Sequence, residues 1–146
     1  MEVMNHKRIA VIGTPGSGKS ALITRLKTGK FSPQWIKTWG ISETTVVLNN
    51  ESVNFVEYAT DLWGDIVIGP EWLFDGSLNM VIICIHQLER KRYPRKAILD
   101  SQFKGVPVKI IYPRGDRLSS DSDDANTISS KTGFGITELI RSIISC

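Results

Sequence analysis

The sequence predicts an α/β protein with a mostly parallel sheet of about five to six strands, covered by helices on both faces. Three observations lead to this fold class. Short apolar runs alternate with segments of helical spacing along the chain. The runs at 80–85 and 106–112 are nearly all apolar, as in strands with both faces buried. Residues 136–144 follow the i, i+3, i+4, i+7 spacing of an amphipathic helix.

The first half of the chain predicts a strand, a helix and a hairpin in that order. Residues 7–12 form a short apolar strand, and residues 19–28 have helical spacing at their leucines and isoleucine. Residues 44–48 and 53–59 flank Asn49 and Asn50, and asparagine tolerates positive φ, so this segment predicts a β-hairpin.

The second half predicts alternating strands and helices. A strand at 80–85 is followed by a helix that begins near Pro94, a residue suited to the first helical position. The strand at 106–112 comes next, and the helix at 136–144 ends the chain. Ligands of such sheets bind beyond the carboxyl ends of the strands, so we expect a site after Ile12, Ala59 and Tyr112.

Length and composition fit a single domain over residues 1–146, of which 41% are hydrophobic and 23% charged. No apolar run approaches the roughly 18 residues that a membrane span needs. The first residues lack the apolar core of a signal peptide. We therefore expect a cytoplasmic protein without membrane association.

Net charge and cysteine content indicate which partners and which disulfides to expect. The net charge of +3 is too mild to indicate nucleic acid, and we expect no nucleic-acid partner. Two cysteines do not make a disulfide framework. Cys84 lies inside an apolar run and is predicted to be a buried thiol.

The segment Gly13-Thr14-Pro15-Gly16-Ser17-Gly18-Lys19-Ser20 predicts a phosphate site. Its glycines allow successive backbone N–H groups to turn inward and form a nest for a β-phosphate at a helix N-terminus. Lys19 adds a positive charge, and the hydroxyl of Ser20 can ligate magnesium. Pro15 has no N–H, but it precedes the groups expected to face the β-phosphate. The loop therefore predicts a bound nucleotide with magnesium.

Further motifs follow in a fixed order. Phe31 and Thr38 lie 11 and 18 positions after Ser20, and Asp61-Leu62-Trp63-Gly64 fits a DxxG box. Pro113-Arg114-Gly115-Asp116 stands where an NKxD box is expected, and Ser129-Ser130-Lys131 is similar to an SAK box. With the phosphate loop, this set resembles the small Ras-like GTPases over nearly the whole chain. Residues 38–41 (TWGI) show a secondary resemblance to Roc and Arf-like members.

This resemblance implies GTP or GDP with Mg²⁺ as ligands. The implied magnesium ligands are Ser20, Thr38 and, through water, Asp61. The implied catalytic residues are Lys19, Thr38, Gly64 and Asp65. The implied nucleotide contacts are Pro15, Gly16, Ser17, Gly18, Lys19, Ser20, Ala21, Phe31, Arg114, Asp116, Ser130 and Lys131. Among these, Asp116 reads guanine because its carboxylate accepts hydrogen bonds from the N1 and N2 hydrogens.

Two substitutions depart from the family pattern. Asp65 follows the DxxG box where a glutamine usually orients the attacking water, so we expect slow intrinsic GTP hydrolysis. Pro113 replaces the asparagine of NKxD, so we expect weaker affinity and looser base discrimination. Only 13 positions separate Asp116 from Ser129, which predicts that the helix before the last strand is reduced or lost.

The four tryptophans indicate a surface for effector or regulator proteins. Trp35, Trp39, Trp63 and Trp72 fall in or just beyond the two switch segments that the resemblance implies. Tryptophan is enriched among interface hot spots, although packing against the sheet is an equal alternative. Two other functions stay open: a pseudo-GTPase interaction module with weak or no hydrolysis, and, less favoured, a small nucleotide kinase.

Overall fold

A computed structural model describes residues 6–13, 18–29, 41–59, 62–63, 66–67, 69–84, 102–111 and 135–146. In chain order its elements are β1 (His6–Gly13), α1 (Lys19–Thr28), β2 (Ile41–Leu48), β3 (Glu51–Ala59), β4 (Leu62–Trp63), β5 (Ile66–Val67), α2 (Glu71–Phe74), β6 (Met80–Cys84), β7 (Val108–Ile111) and α3 (Ile136–Ser145).

Five of the strands form one sheet in the order β2-β3-β1-β6-β7. β1 lies at the centre and pairs in parallel with β3 and with β6, and β6 pairs in parallel with β7. Only β2, at the edge, runs antiparallel to its neighbour β3. All five residues of β6 are buried, as its continuous apolar sequence predicts. The α/β fold class predicted from the sequence is therefore confirmed.

The hairpin of β2 and β3 is confirmed together with its turn. Asn49 and Asn50 have φ values of 49° and 67°. Positive φ at both central residues gives a two-residue turn whose twist matches that of the flanking strands. This turn sets the register in which Leu48 lies opposite Glu51. β2 begins at Ile41, three residues before the predicted start.

Two layers of apolar side chains cover the sheet. On one face α1 and α3 pack on β1 and β3, with Leu22 and Leu139 in the same core cluster as Val11 and Phe55. The other face holds Ala10 and Ile12 with residues of 73–83 and 103–110. Alternate residues of β1 thus serve opposite layers, as the two-residue period of a strand requires. Helices α1 and α3 therefore cover the same side of the central strands.

A buried cation fastens the end of α3 to β1. The Nζ of Lys7 donates hydrogen bonds to the carbonyl oxygens of Ile143, at 3.0 Å, and Ile144. The same Nζ lies 3.3 Å from a carboxylate oxygen of Glu51 in β3. A positive charge stabilises the carbonyl end of a helix, and here that charge is supplied by the strand below it.

Some element boundaries differ from the predictions. β7 begins at Val108 rather than Val106, because Pro107 has no N–H to donate to the ladder. The small antiparallel pair of β4 and β5 and the short helix α2 were not predicted. The helix near Pro94, the reduced helix after Asp116 and any strand at 127–129 lie outside the described residues. Within the part of the chain that the structure describes, no helix is long and apolar enough to cross a membrane.

Candidate functional site

Four parallel strands end level with one another at one edge of the sheet. Gly13 is paired in register with Ala59 and with Cys84, and Cys84 is paired with Ile111. Each of these residues is the last of its strand. The predicted site segments, which follow Ile12, Ala59 and Tyr112, therefore begin at the same edge, as expected for a ligand site of a parallel sheet.

Helix α1 begins at this edge through a left-handed glycine. Gly18 has φ 99° and ψ 15° and precedes the first helical residue, Lys19. Residues other than glycine rarely adopt this backbone conformation. The amide of Leu22 already donates to the carbonyl of Gly18 at 3.0 Å, which closes the first turn. The positive end of the helix dipole is thus presented beside the end of β1.

The ammonium group of Lys19 is buried at the start of α1. Only 5% of this residue is exposed, and its Nζ donates to the carbonyl oxygen of Gly13 at 3.1 Å. A buried charge needs compensating polar or charged groups. The bond to Gly13 holds the cation across the connection between β1 and α1, where a phosphate would supply further compensation.

A buried carboxylate contacts the predicted magnesium ligand. The Oγ of Ser20 donates to Oε1 of Glu57 at 2.5 Å, and only 7% of Glu57 is exposed. Glu57 was not among the predicted site residues. Its signal in the sequence is an acidic residue at an inward-facing position of β3, in step with the core residues Val53 and Phe55.

Cys84 lies at the base of this cluster. Burial raises the pKa of its thiol to about 12, the charge of Lys19 opposes that rise, and the charge of Glu57 adds to it. Lys19 and Glu57 therefore both act electrostatically on the end of β6. The predicted buried thiol is confirmed, and it stays protonated at neutral pH.

The structure brings together the part of the predicted site that belongs to α1. Gly18, Lys19, Ser20 and Ala21 are in place at the start of this helix. The other predicted site residues lie outside the described residues: Pro15, Gly16, Ser17, Phe31, Thr38, Asp61, Gly64, Asp65, Arg114, Asp116, Ser130 and Lys131. Among the described side chains, no group of three or more His, Cys, Asp or Glu residues is arranged to hold a metal ion.

Among the tryptophans, Trp72 is the one whose side chain is described. Its ring meets Tyr58 edge to face with 6.4 Å between centroids, and the guanidinium of Arg8 lies 5.5 Å above it. Trp72 is half-buried against the apolar layer on the face opposite α1. This residue therefore follows the alternative in which tryptophan packs on the sheet.

Comparison with solved structures gives a match over almost the whole chain. A crystal structure of a variant of Aquifex aeolicus Era bound to GDP·AlF4⁻ matches with a TM-score of 0.65 and 17% identity. The match covers 97% of this chain and 57% of the Era chain. The fold is that of a P-loop NTPase. No family model matches this chain, and no curated protein does.

Proposed function

We propose that this P-loop protein is a magnesium-dependent molecular switch that binds guanine nucleotides and hydrolyses GTP slowly. One observation carries the proposal: Lys19 and Ser20 open α1 directly beside the level ends of four parallel strands. A helix N-terminus, a buried ammonium and a hydroxyl are the groups that a phosphate chain with magnesium requires.

The groups at the start of α1 fit a nucleotide phosphate with Mg²⁺. In this proposal Gly18 and the first turn of α1 present backbone N–H groups to the β-phosphate, and Lys19 neutralises its charge. Magnesium is a hard cation that takes oxygen ligands and keeps several waters and phosphate oxygens. The hydroxyl of Ser20 suits it, with Thr38 and Asp61 as the further ligands that the family resemblance implies. The ion supplies charge neutralisation between the phosphates.

Preference for guanine is supported by sequence motifs and by a neighbour. Asp116 would read the base edge, Phe31 and Arg114 would flank the ring, and Ser130 and Lys131 would complete the pocket. The matched Era structure contains GDP·AlF4⁻, which supports the choice of nucleotide. We retain weaker affinity and looser base discrimination as the expected effect of Pro113.

The proposed switch rests on the segments around Thr38 and Gly64. Both residues would order around the γ-phosphate and be released after hydrolysis. Effector or regulator proteins would then read the tryptophan-rich segments. Exposed Ile41 and Val47 on the edge strand β2 support a partner surface, since an edge strand offers unpaired backbone groups as well. We propose a cytoplasmic location for this activity.

Mass spectrometry of bound nucleotide tests the proposal. The protein is loaded with GTP and Mg²⁺, freed of excess nucleotide, and sampled over hours. We expect retained guanine nucleotide and conversion of GTP to GDP at about 10⁻⁴ s⁻¹ or slower, the unaided scale of this class. Retention without conversion would favour the pseudo-GTPase alternative. Absence of retained guanine nucleotide would contradict the proposal, and phosphate transfer from ATP to a nucleoside monophosphate would favour a kinase.

A further inference from the structure

The edge strand β2 carries both of the large apolar side chains that are exposed among the described residues. Ile41 is 54% exposed and Val47 is 63% exposed. In the sheet that the described strands form, β2 has β3 on one side and no strand on the other. We propose that this open edge binds a second copy of the chain, whose own β2 pairs with it antiparallel about a two-fold axis at Thr44.

The turn of the hairpin sets which backbone groups of β2 point to the open edge. Leu48 and Glu51 flank this two-residue turn and face each other, and the closing pair of such a turn is hydrogen-bonded. Hydrogen-bonded and non-hydrogen-bonded pairs then alternate along an antiparallel ladder. Every second residue of β2 therefore directs its N–H and C=O to the open edge. These residues are also the exposed ones of the strand: Ile41, Glu43, Thr45 and Val47.

Only one two-fold register covers both exposed apolar side chains. Each edge-facing residue must face an edge-facing residue of the second copy, because these residues supply the free hydrogen-bonding groups. Pairing centred on Thr44 places Ile41 opposite Val47 of the second copy, and Val47 opposite its Ile41. Pairing centred on Glu43 would set two carboxylates opposite each other, which is destabilising. Pairing centred on Thr45 would place Ile41 opposite the turn, beyond the end of the second strand.

The charge and the regularity of β2 also suit a second copy. Glu43 is the only charged residue of the strand, and Arg8 Nη2 lies 3.6 Å from its Oε1. In the register centred on Thr44, Glu43 faces Thr45 of the second copy rather than a like charge. Edge strands are commonly protected by lysine, proline or a bulge. β2 contains neither lysine nor proline, and it pairs with β3 over eight consecutive residues without a bulge. The strand is therefore open to pairing and self-complementary, as an isologous interface requires.

Cysteine cross-linking tests the register. In the proposed dimer the two copies of Thr44 form a non-hydrogen-bonded pair with about 4.5 Å between Cα atoms, a separation that a disulfide spans. Thr44→Cys should therefore form a disulfide-linked dimer in oxidised glutathione. Thr45→Cys is the matched control, because its two copies lie about 7 Å out of register along the strands and should not be linked. The wild-type protein gives the background from Cys84 and Cys146. Equal cross-linking of the two variants would overturn the proposed pairing.

Sedimentation equilibrium without nucleotide tests the dimer itself. Two short strands make a small interface, so the mass of the wild-type protein should rise from 16.3 kDa toward twice that value as its concentration approaches about 1 mM. Thr45→Pro removes an N–H that only the dimer uses, and proline is tolerated at such an edge position, so self-association should weaken at least about fivefold. Thr45→Ala keeps the N–H and should associate within about threefold of wild type.

Two results would overturn the proposed dimer: a wild-type protein that stays monomeric up to about 1 mM, or equal association of Thr45→Pro and Thr45→Ala. The open edge contains no residue of the proposed nucleotide site, so GDP binding is measured separately. A monomer that binds GDP would contradict the dimer alone, and a dimer that does not bind GDP would contradict the proposed function alone.

Discussion

At the scale of single residues, Lys19 and Glu57 act with opposite charges on the same thiol, that of Cys84 at the end of β6. Both are buried, and each has a polar partner, Gly13 O for the cation and Ser20 Oγ for the carboxylate. Buried ions seldom increase stability over apolar side chains of similar volume. Their presence is better explained by a ligand that needs them than by the stability of the fold.

Replacement of Lys19 by methionine tests whether this cation meets a phosphate. Loss of a charge-assisted hydrogen bond to phosphate costs roughly 1.5–3 kcal/mol, so we expect GDP affinity to fall about 10- to 100-fold. The free energy of unfolding of the nucleotide-free protein should also fall, because Glu57 then stays buried without the opposite charge that acts on the same site. GDP titration and urea denaturation measure the two quantities.

Lys27→Met is the control on the same helix. Lys27 is exposed in the last turn of α1 and should leave GDP affinity unchanged. Its loss removes a cation near the carbonyl end of the helix, worth about 0.3–1 kcal/mol of stability. Equal GDP affinity in wild type and Lys19→Met would show that this cation does not meet a phosphate.

The P-loop pattern selects Lys19 and Ser20 as site residues, but it does not reveal Glu57, the carboxylate to which Ser20 donates. The P-loop pattern is local: its glycines and lysine predict a phosphate site wherever they follow a strand and precede a helix. Glu57 lies 37 positions from Ser20. Only the parallel pairing of β1 with β3 brings the two together. An acidic residue in step with the core positions of a strand was the available signal.

At the scale of elements, α1 joins the fold to the site through the glycines at its two ends. Gly18 precedes its first residue with φ 99°, and Gly29 follows its last with φ 72°. The amide of Gly29 donates to the carbonyl of Arg25 at 2.9 Å and closes the last turn. Both residues have left-handed backbone, but only Gly18 lies at the proposed phosphate site.

Alanine substitution at each end distinguishes stability from function. A Cβ at left-handed φ costs about 1–2 kcal/mol, so both Gly18→Ala and Gly29→Ala should lower the free energy of unfolding by a similar amount. Gly29→Ala adds no clash, because a Cβ there meets no atom within 4 Å. Only Gly18→Ala should weaken GDP binding, since it moves the amides at the helix start. Equal effects of the two variants on GDP affinity would contradict the proposed site.

The elements were predictable where local rules decide them. The hairpin follows from the Asn49-Asn50 turn alone. Helix α1 follows from the spacing of Leu22, Ile23 and Leu26. Neither prediction needs information from distant parts of the chain. The pair β4–β5 has only two residues in each strand, too few for a two-residue alternation to show. The late start of β7 depends on whether the ladder needs a donor at position 107, where proline has no N–H. Residue propensities do not show which positions must donate to a neighbouring strand.

At the scale of the whole molecule, the parallel sheet brings distant segments of the chain to one edge. Gly13, Ala59, Cys84 and Ile111 are spread over nearly 100 positions of sequence and end level in the sheet. The fold therefore provides a common edge for the segments that the motifs selected. It does not by itself choose a ligand, because P-loop folds serve several nucleotides and reactions. Which nucleotide binds depends on the residues that contact its base and the metal ion.

Calorimetric titration of the nucleotide-free protein with GDP and with ADP, each in Mg²⁺ and in EDTA, tests the central claim most directly. We predict one-to-one binding of GDP in Mg²⁺, weaker binding of GDP in EDTA, and weaker binding of ADP in Mg²⁺. The preference for GDP over ADP should be limited, because Pro113 replaces the asparagine expected in the proposed base-binding box. Absence of GDP binding, or binding of ADP as tight as that of GDP, would contradict a magnesium-dependent guanine-nucleotide switch.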